Sequence, residues 1–248
     1  MPYDSKKMKD FHVVYEDNHI IVVNKRAGIL VQGDSTGDRT LTDAVKDYIK
    51  KEYGKPGDVF LHPVHRLDRP VSGLVVFART SKGLERMMEL FRKRDIKKTY
   101  WAVVRRRPKE LKGKLTHWLI KDESKNVVTA YEEEVKGSQK AELNYKVLGE
   151  INKFFLLEIE LLTGRPHQIR VQLATIGSPI RGDLKYGYDR PNADASINLH
   201  ARRVYFIHPV KKEPIICKGA VPPNPFWEEF LELDPDDFKQ KNLDYLHE

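Results

Sequence analysis

Apolar residues recur at two spacings along this chain, and the spacing typical of strands is the more common. Residues 141–147 alternate apolar and polar side chains, as an antiparallel strand does when one face packs and the other is solvated. Residues 74–78 are apolar throughout and rich in β-branched and aromatic side chains, which predicts a buried strand. The full pattern predicts strands at 11–15, 19–24, 74–78, 99–104, 115–120, 141–147, 154–162, 199–207 and 213–217.

Helical spacing appears in fewer segments. Four apolar residues between 84 and 91 follow the i, i+3, i+4, i+7 pattern, and Thr40 with Asp43 resembles a capping box. Proline at the first helical position favours another start near Arg165-Pro166. The predicted helices are 40–53, 81–93, one from 165–166 onward, and 226–233. Because strands dominate without a βαβ rhythm, we predict an α+β fold with a mixed or antiparallel sheet and flanking helices.

Charge is distributed unevenly along the 248 residues. The net charge is +8, yet residues 228–248 hold eight acidic and two basic side chains, so residues 1–227 carry the basic excess. This basic charge favours a polyanion partner, most simply nucleic acid. A basic surface that serves only solubility has the same excess of basic residues. The single cysteine, Cys217, excludes an internal disulfide, and no leader or membrane-length apolar run appears. We expect a soluble, cytoplasmic protein without membrane contact.

The sequence His-Arg-Leu-Asp-Arg-Pro-Val-Ser-Gly at residues 65–73 contains the strongest chemical signal. Asp68 stands between two arginines on a turn that leads into the buried strand at 74–78. Flanking cations favour the ionised carboxylate, which is then able to act as a nucleophile or to stabilise positive charge. A structural ion pair that pins the turn has the same pattern.

Two further segments carry candidate site residues. Residues 92–107 contain eight basic side chains and one acid around Tyr100, a composition typical of phosphate contacts beside a stacking aromatic ring. In the segment 162–174, His167 and Arg170 lie three apart on one face of the predicted helix. Either segment is also compatible with ordinary surface or core packing.

These three segments, in this order, resemble the RluA-type (RluA/TruC-like) pseudouridine synthase family. The family motifs match at residues 65–73, at Lys98-Thr99-Tyr100 and at 163–172, with Val71, Pro166 and Gln172 as departures. The resemblance implies one catalytic domain over 11–233, with a long bent sheet and a central RNA-binding cleft. Residues 1–10 are then a flexible N-terminus and 234–248 an acidic tail, and no S4 module is expected.

The resemblance also implies isomerisation of uridine to pseudouridine in tRNA or in an rRNA stem-loop. Asp68 is the expected catalytic carboxylate, whether it attacks C1′ or removes a ribose proton; Arg170 pairs with it, and Tyr100 stacks on the uracil. Arg66 fills the gap in the RNA stack. The remaining predicted RNA-binding residues are His65, Lys98, Arg105, Arg165 and His167.

No cofactor, metal or obligate protein partner is expected, and the protein is predicted to be a monomer. His62 and His65 form a weak metal motif, and no dinucleotide-binding fingerprint or P-loop is present. Two alternatives stay open. A non-catalytic RNA-binding module would tolerate loss of Asp68, and a nuclease or glycosidase would normally need paired carboxylates or a metal cluster.

Overall fold

One large sheet organises the residues that the structure, a computed structural model, describes: 10–33 and 37–235. Its strands are β1 Phe11–Glu16, β2 Ile20–Lys25, β3 His62–Pro63, β4 Ser72–Ala78, β5 Lys97–Val104, β6 Lys112–Asp122, β7 Val127–Tyr131, β8 Gln139–Ile151, β9 Phe154–Leu161, β10 Leu199–Ile207 and β11 Pro214–Lys218. The α-helices are α1 Leu41–Glu52, α2 Ser81–Lys93, α3 Gln168–Thr175 and α4 Pro225–Glu229. Short 3₁₀ helices cover Leu184–Tyr186 and Phe230–Leu233.

The strand order explains how the Asp68 segment reaches the middle of the sheet. The order is β1-β2-β4-β10-β5-β9-β8-β6-β7, with β3 on β4 and β11 on β10. β4 and β10 pair in parallel, whereas the other pairs are antiparallel, so of the two predicted sheet types, mixed or antiparallel, the sheet is mixed. At this junction Gly73 has φ +116°, and a Cβ there would overlap the backbone of Ala201. Glycine is therefore required where the Asp68 motif enters β4.

Alternate residues of β5 face two different cores. Tyr100, Ala102 and Val104 pack into a cluster that includes residues of α1 and α3. Trp101 and Val103 pack on the other face against Trp227 of α4. We call these the Tyr100 face and the Trp101 face of the sheet.

Most predicted elements are confirmed to within a few residues. The helix at 81–93 and the strand at 199–207 have the predicted bounds, and Thr40 caps α1 with both hydrogen bonds of a capping box. The strands β3 and β7 were not predicted. The closing helix is split, since α4 ends at Glu229 and a 3₁₀ turn follows.

The predicted start of the third helix is wrong by about three residues. α3 begins at Gln168, because His167 has a left-handed backbone with φ 50° that a continuous helix excludes. The Gln168 side-chain oxygen accepts hydrogen bonds from the Arg165 amide at 3.0 Å and from the Thr163 hydroxyl at 2.8 Å. These bonds hold residues 163–167 as a turn.

The two predicted terminal segments fall mostly outside the described residues, at 1–9 and 236–248. Asp234, the first residue of the predicted acidic tail, is bonded into the body of the protein by Arg202, Arg203 and Lys218. Across the described residues, no helix is both long and apolar enough to span a membrane.

Candidate active site

Asp68 lies on a short loop between β3 and β4 whose apolar neighbours are anchored in the core. Leu67 and Val71 are buried, and the Val71 amide donates to the Asp68 carbonyl oxygen at 3.0 Å. The Asp68 side chain keeps 28% of its surface exposed. Packing thus fixes the backbone of this loop and leaves the carboxylate open to a ligand.

A guanidinium group joins Asp68 to a second carboxylate. Arg170 Nη1 donates to Asp68 Oδ2 at 2.8 Å, while Arg170 Nε and Nη2 donate to the two oxygens of Asp183 at 2.7 and 2.8 Å. The Arg170 and Asp183 side chains are only 6% and 1% exposed. Burial opposes the charge of Arg170, but the two carboxylates outweigh it and raise the pKa of the guanidinium. The bidentate pair with Asp183 fixes the guanidinium plane and thereby aims Nη1 at Asp68.

His167 approaches the same oxygen of Asp68 from the start of α3. Its Nε2 lies 3.8 Å from Asp68 Oδ2, and its Nδ1 lies 2.7 Å from the hydroxyl oxygen of Tyr186. The Tyr186 ring also lies 5.0 Å from the Arg170 guanidinium. Asp68 Oδ1 receives no hydrogen bond from the residues that the structure describes.

Tyr100 borders this carboxylate from β5. Its side chain is 6% exposed and belongs to the same core cluster as Leu67 and Val71. Burial raises the pKa of the Tyr100 phenol, and the negative charge of Asp68 adds to this effect. Trp101 points to the opposite face and is buried.

Residues 19–175 match the model of a protein family described as RNA pseudouridylate synthase. The chain belongs to this family. It is therefore an RNA pseudouridine synthase, an isomerase that converts uridine to pseudouridine in RNA, and the predicted family and reaction are confirmed.

Individual relatives span most of this pseudouridine synthase. It is 31% identical over 230 residues to the tRNA pseudouridine synthase C of Vibrio parahaemolyticus, covering 86% of this chain and 91% of the relative. It is 35% identical over 216 residues to the ribosomal large subunit pseudouridine synthase C of Buchnera aphidicola, covering 84% and 67%. Among solved structures, human RNA Pseudouridylate Synthase Domain Containing 4 superposes with a TM-score of 0.72 at 25% identity, covering 89% of this chain and 92% of that one.

The other residues predicted to bind RNA have different surroundings in this synthase. Arg66 is exposed next to Asp68. Arg165 is partly buried in the turn before α3 and donates from Nε to the Lys140 carbonyl at 3.1 Å. Lys98 lies with Nζ 5.1 Å from the Phe91 ring, and burial lowers its pKa to about 8. RNA binding by these three residues stays a prediction.

His65 and Arg105 are not brought to the Asp68 carboxylate. His65 Nε2 accepts the Val76 amide at 3.2 Å, so one ring nitrogen is used to hold the loop against β4. Arg105 is exposed after the end of β5 and lies over the Phe154 ring on the Trp101 face, because successive strand residues alternate in direction. RNA binding by these two residues stays a prediction.

Lys25 is a site residue that sequence reasoning missed. It ends β2, is almost fully buried, and donates from Nζ to the carbonyls of Arg26, Ile29 and Arg69 at 3.0, 2.8 and 3.3 Å. Burial lowers its pKa to about 7, although the Asp68 carboxylate opposes the shift. Lys25 thus ties the loop after β2 to the Asp68 loop. The only sequence signal was a lysine at the end of an apolar strand.

Asp183 and Tyr186 were also given no role from sequence. Their importance depends on contacts with α3, which follow from the tertiary fold. Within the described residues, no group of three or more His, Cys, Asp or Glu side chains is arranged to hold a metal ion.

Proposed function

We propose that this pseudouridine synthase uses Asp68 as its catalytic carboxylate. The observation that carries the proposal is the arrangement Asp68–Arg170–Asp183, in which a buried and doubly bonded guanidinium holds one oxygen of a partly exposed carboxylate. The other oxygen is left available to a substrate. A fixed carboxylate beside a sugar stabilises the positive charge that develops at C1′ when a glycosidic bond breaks.

The reaction requires the uridine to leave the RNA stack, since C1′ cannot be reached inside a stacked helix. The N1–C1′ bond breaks, the uracil turns, and C5 bonds to C1′; C5 then loses its proton and N1 gains one. Asp68 takes part either by attacking C1′ or by removing a ribose proton. Both routes place the free oxygen of Asp68 next to the ribose.

We assign the surrounding residues according to their positions. Tyr100 stacks on the uracil and retains it during rotation, so that reattachment competes with loss to solvent. The exposed Arg66 fills the space of the extruded base. Arg165, Lys98 and His167 border the RNA near the catalytic loop, and RNA lies in a cleft on this side of the domain, which spans residues 11–233.

The proposed substrate is a uridine in tRNA or in an rRNA stem-loop. The support is that relatives of comparable coverage are named as tRNA and as ribosomal large subunit pseudouridine synthases. We further propose that the protein acts in the cytoplasm as a monomer. RNA is its partner, and the basic charge of residues 1–227 favours such binding.

The test uses purified protein and total RNA from cells that lack the gene. Mapping pseudouridine before and after incubation should reveal one or a few new sites, and these sites should be absent in RNA treated with the Asp68→Asn variant. Product formation by Asp68→Asn at the wild-type rate would rule out the catalytic role. Binding of the same RNA by the variant without product separates a catalytic role from RNA binding.

A further inference from the structure

A hydrogen bond joins the side chains of Tyr186 and His167, and the other ring nitrogen of His167 faces Asp68. The Tyr186 hydroxyl oxygen accepts the amide of Val128, on strand β7, at 2.9 Å. The same oxygen lies 2.7 Å from His167 Nδ1, and His167 Nε2 lies 3.8 Å from Asp68 Oδ2. The two rings meet edge to face at 82°.

Counting hydrogens fixes the direction of this hydrogen bond. A backbone amide only donates, so Val128 occupies one lone pair of the Tyr186 oxygen. The phenol hydrogen then needs an acceptor, and His167 Nδ1 is the one within reach. If Nδ1 carried a hydrogen instead, two donors would meet the Tyr186 oxygen and the phenol hydrogen would be left without this partner, at a cost in free energy. His167 Nδ1 is therefore the acceptor.

A neutral imidazole with a bare Nδ1 carries its hydrogen on Nε2. Burial lowers the pKa of His167, an effect that the negative charge of Asp68 opposes and that Arg170 and Lys185 reinforce, so the neutral ring is favoured. The Nε2–H group faces Asp68 Oδ2, the oxygen that Arg170 already holds. Hydrogen bonds in active sites are often long without substrate and shorten in the complex.

The backbone also directs His167 at Asp68. Its φ of 50° is uncommon for residues other than glycine, and such conformations cluster at functional sites. The residue caps α3 without a capping hydrogen bond from its side chain, so the imidazole serves the contacts with Tyr186 and Asp68 instead.

We propose that Tyr186 is a positioning residue that holds His167 in the Nε2–H tautomer, so that His167 donates to Asp68 and does not serve as a base. This inference rests on the proposed function, in which Asp68 is the catalytic carboxylate. It assigns His167 a neutral donor role that steadies the carboxylate without adding positive charge. It also requires the proton lost from uracil C5 to be taken by another group.

The tautomer is measured directly by ¹⁵N NMR of protein labelled at histidine, with the His167 signals assigned by their loss in His167→Gln. Wild-type protein should show an unprotonated Nδ1 and a protonated Nε2. A protonated Nδ1 in the wild-type protein would overturn the proposal, whatever the activity of the variants. If Asp68 were not catalytic, Asp68→Asn would stay active, and this NMR result would be unaffected; the two failures are thus distinguishable.

Kinetics then test the role of the Tyr186 hydroxyl. Tyr186→Phe keeps the ring beside Arg170 but removes the hydrogen bond to His167 Nδ1. The single-turnover rate should therefore fall about tenfold with unchanged RNA affinity, the lower end of the loss seen when a partner that orients a metal-bound histidine is removed. The His167 signals should shift toward a mixture of tautomers. Tyr188→Phe, which removes a hydroxyl two residues along, is the control. A wild-type rate in Tyr186→Phe would contradict the positioning role.

Two substitutions at His167 separate a donor from a base. Gln places an N–H group near the position of Nε2 but cannot take up a proton there, whereas Leu supplies neither function. We expect His167→Gln to retain most of the single-turnover rate and His167→Leu to lose about tenfold. Equal losses in both variants would identify His167 as a base and overturn the proposal.

Discussion

Two arginine–aspartate clusters, one on each face of the sheet, differ in how fully the carboxylate is bonded. On the Tyr100 face, Asp68 receives one guanidinium nitrogen of Arg170 on a single oxygen and remains 28% exposed. On the Trp101 face, Asp234 is 9% exposed and is bonded by Arg203 on one oxygen and by Arg202 and Lys218 on the other. The first carboxylate still has an open oxygen, whereas the second has none.

The difference matches the proposed roles, catalytic for Asp68 and structural for Asp234. Arg170 directs its strongest, bidentate contact away from Asp68 and toward the buried Asp183, so it orients Asp68 without enclosing it. Arg202 packs over Trp101 at 4.4 Å, and its guanidinium group binds the carboxylate of Asp234, near the end of the described residues, to the sheet. The accessible oxygen of Asp68 is the feature that supports its proposed catalytic role, since the carboxylate of Asp234 has no such oxygen.

Exchanging each aspartate for asparagine should give opposite results. Asp68→Asn should lower the single-turnover rate about a thousandfold or more, equivalent to ~4 kcal/mol in the barrier, with stability nearly unchanged because Asp183 still pairs with Arg170. Asp234→Asn should lower the free energy of unfolding by about 3 kcal/mol, since buried cations lose their counter-charge, and leave the rate of the folded enzyme intact. Rate assays and urea denaturation measure both. A catalytic defect in Asp234→Asn would break the comparison.

Replacing the arginines tests orientation. Arg170→Lys keeps the charge but loses the planar fork that reaches both Asp183 and Asp68, so the single-turnover rate should fall about a hundredfold while RNA affinity changes little. Arg202→Lys is the matched control and should affect thermal stability alone. If Arg170→Lys instead weakened RNA binding and kept a normal rate, Arg170 would be a phosphate contact.

The contrast between these clusters was only partly predictable from sequence. Asp68, Tyr100 and Arg170 lie in motifs with a defined spacing. His167 and Arg170 both face Asp68 as predicted, but His167 does so from the left-handed turn before α3 and not through helical periodicity. Asp183 and Lys25 were not predicted, because their contacts with Arg170 and with the Asp68 loop join segments that are separated in sequence and meet only in the folded chain. The face of the sheet on which Arg105 lies depends on where β5 ends. The composition of the basic segment 92–107 does not predict the end of that strand.

Substitution of Tyr100 should have a smaller effect on the rate than substitution of Asp68 or Arg170. Tyr100→Phe should retain the rate, because the ring face is preserved, whereas Tyr100→Ala should lose about tenfold or more, in line with ~1–3 kcal/mol for stacking on one base. Trp101→Phe on the opposite face is the control for destabilisation of β5. If Tyr100→Phe is as slow as Tyr100→Ala, the hydroxyl takes part in chemistry, for example in removal of the C5 proton.

RNA affinity should depend more on Arg66 and Arg165 than on the three arginines that follow β5. For single-stranded segments, log K falls with log salt by ~0.7 per neutralised phosphate. The double variant Arg66→Gln with Arg165→Gln should therefore flatten the salt dependence, and joint replacement of Arg105, Arg106 and Arg107 by Gln should flatten it less. An equal or larger effect of the triple variant would show that RNA continues around the end of β5.

The smallest expected effect is on stability and concerns His200, which contacts residues near both the Asp68 and the Asp234 clusters. Ser72, just after the Asp68 loop, lies 2.9 Å from His200 Nδ1, and His200 Nε2 lies 3.3 Å from the Gly219 carbonyl that also accepts from Arg202. Burial lowers the pKa of His200 to about 3, so the folded protein holds it neutral.

Between pH 6.5 and 3 the unfolded chain binds this proton and the folded chain does not, so the free energy of unfolding should decrease as the pH falls through that window. The contribution of His200 is at most about 1.4 kcal/mol per pH unit. Urea denaturation of His200→Gln at several pH values should show a correspondingly shallower pH dependence than wild type, with His12→Gln, which removes an exposed imidazole, as the control. Identical pH dependence in His200→Gln and wild type would mean that protonation of His200 does not contribute to the free energy of unfolding. The Asp68 and Asp234 clusters would then not depend on the charge state of His200.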